Sequence, residues 1–202
     1  MIVSDEVGQG PGRRREFELA DAVGDAVEVF RANGYHGTSV CDLESGTGLG
    51  RGSLYKAFGD KRALFLAALE QYADGVVRRI AETLASPGSA REALRATLLG
   101  CATRAAENRD KSCLMAVASI EMVPGDEEVR AILERKGRRI EDLLVATIIR
   151  GQVAGEFPPG LDERAAARML HCMMPGMRVL AKTTPDLTGA AAMIDIALTG
   201  LR

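Results

Sequence analysis

The chain has 202 residues, a formal net charge of −2, 47% hydrophobic residues and only 4% aromatics. That length suits one large domain or two small ones, and a core this short of aromatics must be built from Ala, Leu, Val, Ile and Met, which favours packed helices over sheets. No apolar run approaches the ~20 residues of a membrane span, and the polar N-terminus MIVSDEVGQGPGRRREF has no secretory h-region, so the protein is expected in the cytoplasm, with no membrane partner.

Residues 1–14 are Gly-rich and charged and read as a mobile basic arm. Apolar residues at Leu19, Ala22, Val23, Ala26, Val29 and Phe30 follow a 3.6-residue period, which predicts a first helix ending near Asn33-Gly34. Ser39 with Asp42 forms a capping-box variant for a short second helix. Gly46, Gly48 and Gly50 make a turn, and Arg51 to Phe58 is a third helix. Asp60 caps a long fourth helix to about Leu84. Pro87-Gly88 breaks the chain, and Ser89 with Glu92 is a full capping box for a fifth helix through about Glu107. A sixth helix is expected over Lys111–Met122. Asp126, Glu127 and Glu128 open a seventh, to about Gly155, with acids where the helix dipole favours them. Asp162 starts an eighth helix, and Pro185 separates it from a ninth at Thr188–Leu201. With no strand alternation and no repeat, the fold class is all-α with about nine helices.

The segment from Gly34 to Phe65 carries the chemistry. Two short helices joined by a glycine-rich turn and followed by an aromatic and basic surface make a helix-turn-helix, whose second helix enters the major groove. Arg51 is the candidate for base readout, since its fork matches guanine O6 and N7. Gly52 and Ser53 are small enough for close approach, Tyr55 offers a hydroxyl to a phosphate, and Lys56 is a phosphate or base contact. Thr38 and Ser39 open the second helix, where hydroxyls and free N–H groups suit a phosphate. Lys61 is assigned the opposite strand's phosphate. The bland alternatives are solvated charge for Arg51 and Lys56 and simple capping for Thr38 and Ser39. Leu43, Leu49, Leu54 and Phe58 read as core. Arg13, Arg14 and Arg15 either reach DNA or stay solvated. The slightly acidic balance requires a local basic patch and a steep salt dependence.

This segment resembles the DNA-binding head of the tetracycline-repressor (TetR) family. The resemblance rests on Gly34, Tyr35, Thr38, Ser39, Asp42, Leu43, Gly48, Leu49, Arg51, Gly52, Ser53, Leu54, Tyr55, Phe58, Lys61, Leu64 and Phe65, and covers roughly the first third of the chain. GMRVLAKTTPDL, near the C-terminus, looks like one branch of the same family. Two positions depart from the pattern: Gly50 stands where Ser or Asn commonly caps the recognition helix, and Glu44 where Ala is common. The resemblance implies a helix-turn-helix domain over 15–60 and a helical effector-binding and dimerisation domain over 61–202. It implies a homodimer on a palindromic DNA operator, acting as a repressor and released by a small-molecule effector.

The later helices are apolar enough to require a partner, and by resemblance they form a four-helix bundle with a second subunit. The expected interface is Met169, Met173, Leu180, Met193, Ile194, Ala197, Leu198 and Leu201, with intramolecular core as the alternative. Met115, Met122, His171, Cys172, Met174 and Met177 are candidate effector contacts, since Met adapts to irregular ligands, or else an ordinary Met-rich core. Pro175 lies inside the eighth helix and crowds the carbonyl of His171, which kinks either a cavity wall or the dimer bundle. The four cysteines form no CxxC pair, so reduced thiols are expected, with no metal and no cofactor. Cys113 follows the fifth helix as a cysteine does in the similar branch, where some members answer electrophiles or oxidants. Lys111 and the start of the sixth helix would lower its pKa; a small buried hydrophobe is the alternative. With two histidines and no nucleophile elbow or phosphate loop, an enzyme is not expected. Two rivals stand beside an effector-released regulator: the same fold switched by Cys113, and a helical interaction protein without DNA binding.

Overall fold

The structure is a computed structural model that describes residues 11–184 and 188–201, with side chains from residue 19 onward and Thr188 by its backbone alone. The expected arm at residues 1–10, the side chains of Arg13, Arg14 and Arg15, and the break at Pro185 lie outside the described residues. Among the described residues there are nine helices and no strand: α1 Pro11–Gly37, α2 Val40–Thr47, α3 Arg51–Phe58, α4 Lys61–Leu84, α5 Ala90–Glu107, α6 Leu114–Glu121, α7 Glu127–Val153, α8 Glu163–Thr183 and α9 Thr188–Thr199. None of them is long and apolar enough to cross a membrane.

Two cores divide the chain. The first joins Val27 and Phe30 of α1, Leu43 of α2, Leu54 of α3 and Phe65 of α4, and extends onto Leu114 and Ala118 of α6 and Val129 of α7. The second is built from the end of α4 with α5, α7, α8 and α9, around Leu94, Leu98, Leu144, Ile148 and Leu170. Met115 of α6 packs against both. The short α6 is therefore shared between the N-terminal head and the body.

Several helix ends differ from expectation. Helix α1 starts at Pro11, inside the stretch expected to be an arm, since proline fits a first helical position where its missing N–H costs nothing. It breaks at Gly34 (φ 74, ψ 179) and resumes for one short turn. That conformation is essentially restricted to glycine, and a Cβ there would collide with the Glu121 carboxylate. Gly46 still belongs to α2; Gly48, left-handed at φ 67, ends it. Helix α6 starts at Leu114 rather than Lys111, because Ser112 is held outside it: its N–H donates to the Arg31 carbonyl at 2.8 Å and its carbonyl accepts from Arg31 Nε at 3.1 Å.

The two capping boxes exchange their expected completeness. Ser39 and Asp42 form the full reciprocal box. Ser89 accepts from the Glu92 N–H, but the carboxylate that completes the α5 cap is Glu156, from the loop after α7, which accepts from Ser89 Oγ, Ala90 N and Arg91 N at 2.6–2.9 Å. A carboxylate brought in by the fold displaced the local partner.

Candidate functional site

Helix α3 stands out from the head. Leu54 alone is buried and Phe58 is half-buried, while Arg51, Gly52, Ser53, Tyr55, Lys56 and Ala57 are all exposed. An eight-residue helix anchored by one leucine is stable only through the neighbours that hold it. Here Leu54 and Phe58 are set into the first core with Leu43, Leu49 and Leu64. The two departures from the family pattern explain each other. Gly50 gives α3 no side-chain cap, and Glu44 supplies one from α2, its Oε1 accepting from Arg51 N at 2.6 Å. Glu44 thus holds α3 at its start.

On the exposed face, the Arg51 guanidinium carbon lies 5.5 Å from the centroid of the Tyr55 ring, one turn further on. This contact is of the weak, exposed cation–π kind. It gathers the two side chains beside Gly52 and Ser53. A Cβ on Gly52 would meet nothing within 4 Å, so nothing inside the protein requires a glycine there. Arg51 and Lys56 form no ion pair with a carboxylate among the described residues, whereas Arg62 is held by Asp126 through two bonds of 2.8 and 2.9 Å and by Glu128 at 2.6 Å. The free positive charge of the described head therefore centres on α3.

Two expected phosphate ligands are engaged in the fold. Thr38 is 2% exposed and its Oγ1 donates to the Gly34 carbonyl at 2.6 Å. The Lys61 ammonium donates to the carbonyls of Tyr35 (3.0 Å) and Thr38 (2.9 Å) and lies 4.4 Å from the centre of the Tyr35 ring. The kink at Gly34 turns these carbonyls away from helix partners, and Thr38 and Lys61 satisfy them. Ser39 is exposed, but its hydroxyl donates to Asp42 Oδ2 at 2.7 Å; that bond holds the Asp42 carboxyl below its ordinary range.

The head is clamped to the body at three places. Glu121, the last residue of α6, accepts from Tyr35 N (2.8 Å) and His36 N (3.1 Å). Arg62 bonds the start of α7, and this holds the Asp126 carboxyl below its ordinary value. Glu28 of α1 bonds both Arg31 (2.9 Å) and Lys111 (2.7 Å). Burial alone would raise the Glu28 carboxyl; the two cations outweigh it and leave it lowered. Lys111 is thereby committed to Glu28, where the sequence had suggested a partner for Cys113.

Behind α6 lies a cavity of about 650 Å³, within the range that holds small ligands. Met115, His171 and Met174 line it, as does Pro175. Met122 and Met177 do not: they are buried in the two cores, and Cys172 is exposed. His171 Nδ1 faces Glu141 at 3.7 Å. Besides apolar wall residues such as Val76 and Ile140, the residues missed by sequence include Arg31, Tyr72, Arg79, Cys101, Arg104 and Arg178. A lone arginine in a helix normally reads as a solvated surface group, so nothing local marked these four. Cys113 lines the cavity too and occupies the N-cap of α6, with no side-chain cap bond. Burial pushes the Tyr72 phenol up, and the adjacent Cys113 adds to this. Burial likewise pushes the Cys101 thiol up, against the pull of Arg104. Among the described residues, no cluster of three His, Cys, Asp or Glu side chains fits a metal ion.

The expected dimer surface divides in two. Met169, Leu180 and Met193 are exposed, and Val179 and Ile196 beside them more so. Met173 and Ala197 are half-buried. Ile194, Leu198 and Leu201 are buried in their own chain against α5, where Arg91 bonds the Leu198 carbonyl and Arg95 pairs with Asp195. Helix α9 is apolar on more than one side, so sequence alone could not tell its inner stripe from its outer one.

Residues 23–68 match the family model for bacterial regulatory proteins of the tetR family, and residues 90–202 match that for the C-terminal part of BetI-type transcriptional repressors. The chain is 35% identical over 192 residues to the uncharacterized HTH-type transcriptional regulator YezE of Bacillus subtilis (strain 168), covering 94% of this chain and 99% of that one. It is 28% identical over 200 residues to the HTH-type transcriptional repressor ComR of Escherichia coli (strain K12), covering 97% and 93% respectively. Among solved structures it is similar to a cysteine mutant of the TetR family regulator CifR in complex with 26-bp operator DNA. That match has 27% identity and a TM-score of 0.80, covering 91% of this chain and 96% of that one.

Proposed function

The chain belongs to the TetR family of DNA-binding transcriptional regulators, and from that premise we propose that it is a homodimeric repressor released from a palindromic operator by a small molecule. The observation that carries the proposal is the exposed face of α3, which presents Arg51, Gly52, Ser53, Tyr55 and Lys56 together on a helix whose inner side is fixed by Leu54 and whose start is held by Glu44. Arg51 reads a base, Tyr55 and Lys56 hold phosphates, and the small pair Gly52-Ser53 lets the helix approach the groove floor. Ser39 and the free N–H groups at the start of α2 contribute a phosphate contact. Thr38 and Lys61 act by shaping the head. CifR, with a similar fold, is bound to operator DNA, which supports the same use of α3 here.

Residues 15–60 form the reading head and 61–202 the effector-binding and dimerisation region. The second copy covers the exposed apolar face of α8 and α9 at Met169, Leu180 and Met193. The effector occupies the cavity behind α6. This helix lines the cavity through Met115 and Ser119, and its last residue holds the α1 kink through Glu121. A ligand that displaces α6 therefore moves the head. It shifts the equilibrium only as far as it binds the released state more tightly.

The Cys113 position favours one further reading. Its thiol lies in the cavity at the N-cap of α6, so a covalent change there would act on the same helix. The Cys113→Ser variant separates the readings: if it still loses DNA on mild oxidation, Cys113 is not the switch. The test of the main proposal is selection of a duplex from a random pool, followed by gel shift. Arg51→Ala should lose the specific band while keeping the wild-type melting temperature. An equally specific band from Arg51→Ala would overturn the assignment of α3.

A further inference from the structure

Three guanidiniums face the cavity without a carboxylate. Arg79 comes from α4, Arg104 from α5 and Arg178 from α8, and no Asp or Glu lines the same space. The fourth lining arginine, Arg31, is bound to Glu28. The other three form no ion pair among the described residues; Arg104 Nη2 points at Cys101 Sγ (3.6 Å) and Arg178 Nη1 at the Lys111 carbonyl (3.3 Å). Arg79 and Arg104 are near enough that burial, with Arg104 next, pushes the Arg79 guanidinium below its ordinary value. Like charges gathered in a partly sheltered space cost free energy until a counter-charge joins them. The rest of the wall is mostly apolar, with Val76, Ile80, Met115 and Ile140 among it.

We infer that the cavity takes an anionic amphiphile, an organic carboxylate or phosphate ester with an apolar body, its charged group held among Arg79, Arg104 and Arg178. Forked guanidiniums suit both head groups, since each offers parallel N–H donors to two oxygens. The apolar body lies along the α6 side of the space, beside Met115. The binding stands on this geometry alone; only its consequence for DNA rests on the effector reading above.

The test is calorimetric titration of the full-length protein with decanoate, decyl phosphate, 1-decanol and decyltrimethylammonium. Both anions, or one of them, should bind at one per chain, at least about tenfold tighter than the neutral and cationic analogues. The preference between the two anions identifies the head group. Arg104→Met and Arg178→Met should each weaken anion binding about tenfold and leave decanol unchanged; Arg104→Lys, which keeps the charge, should retain more of the affinity even if the Met variants fold poorly. Equal binding of decanol or the cation, no binding of any probe to folded wild type, or unchanged anion affinity in the folded variants would overturn the inference. Anion binding with the DNA complex intact supports it and removes only the effector role.

Discussion

Lys61 gives the sharpest separation between a DNA ligand and a structural tie. Its ammonium donates to the Tyr35 and Thr38 carbonyls at 3.0 and 2.9 Å and sits 4.4 Å from the Tyr35 ring centre. Lys61→Met keeps the aliphatic stem and removes both donors. Hydrogen bonds to a charged group contribute roughly 1.5–3 kcal/mol each, and an exposed cation–π contact about 0.5–1 kcal/mol. Lys61 is half-buried, and water replaces part of what is lost, so a destabilisation of about 2 kcal/mol is expected. In a chain of this size that lowers the melting midpoint by roughly 4–8 °C. DNA affinity should fall with the head's order, but the slope of log affinity against log salt should stay unchanged, since no phosphate contact is removed. A true phosphate ligand behaves oppositely, losing about 0.9 from the slope with little change in stability. Unchanged melting together with a reduced slope would refute the structural role.

The remaining predictions concern the same joints. Gly52→Ala should be neutral or stabilising by up to about 1 kcal/mol in urea titrations, because nothing crowds the added methyl, yet should weaken operator binding if α3 lies close to the groove floor. Glu44→Ala removes the α3 cap and should cost about 1 kcal/mol of stability; chemical denaturation checks it. Glu121→Gln should loosen the head against the body, seen as faster hydrogen exchange at the Tyr35 and His36 amides. The Asp126 carboxyl is held low by Arg62, so its contribution is present above the ordinary carboxylate range and lost as pH falls through its depressed value. Asp126→Asn should therefore flatten the acid side of the stability curve, leaving the neutral region lower.

The helices were legible because their signals are local. Asp60, Ser89, Asp126 and Asp162 all cap the helices their positions predicted, since a cap needs only its own next turn. What sequence hid was brought in from a distance. Glu156 completes the α5 cap from 67 residues away, Glu121 reaches Tyr35 across 86, and Lys61 turns inward because the kink at Gly34 exposes carbonyls beside it. Pattern placed α3 correctly, as a short helix with a spaced Leu54 and Phe58. It could not divide α9, whose apolar residues cover more than one face, nor find the cavity arginines, which come from different helices and meet only after packing. Of the six residues that the sequence offers for the cavity, Met115, His171 and Met174 line it, while Met122 and Met177 belong to the cores and Cys172 is exposed.

Hydroxyl-radical footprinting on the selected duplex, with the protein-to-DNA stoichiometry measured in parallel, tests whether two chains read one operator through α3. Two chains per duplex are expected, with two protected patches related by a two-fold axis, their centres about one helical turn or a multiple of it apart, both lost in Arg51→Ala. One chain on one patch, or protection that survives in Arg51→Ala, would contradict that expectation.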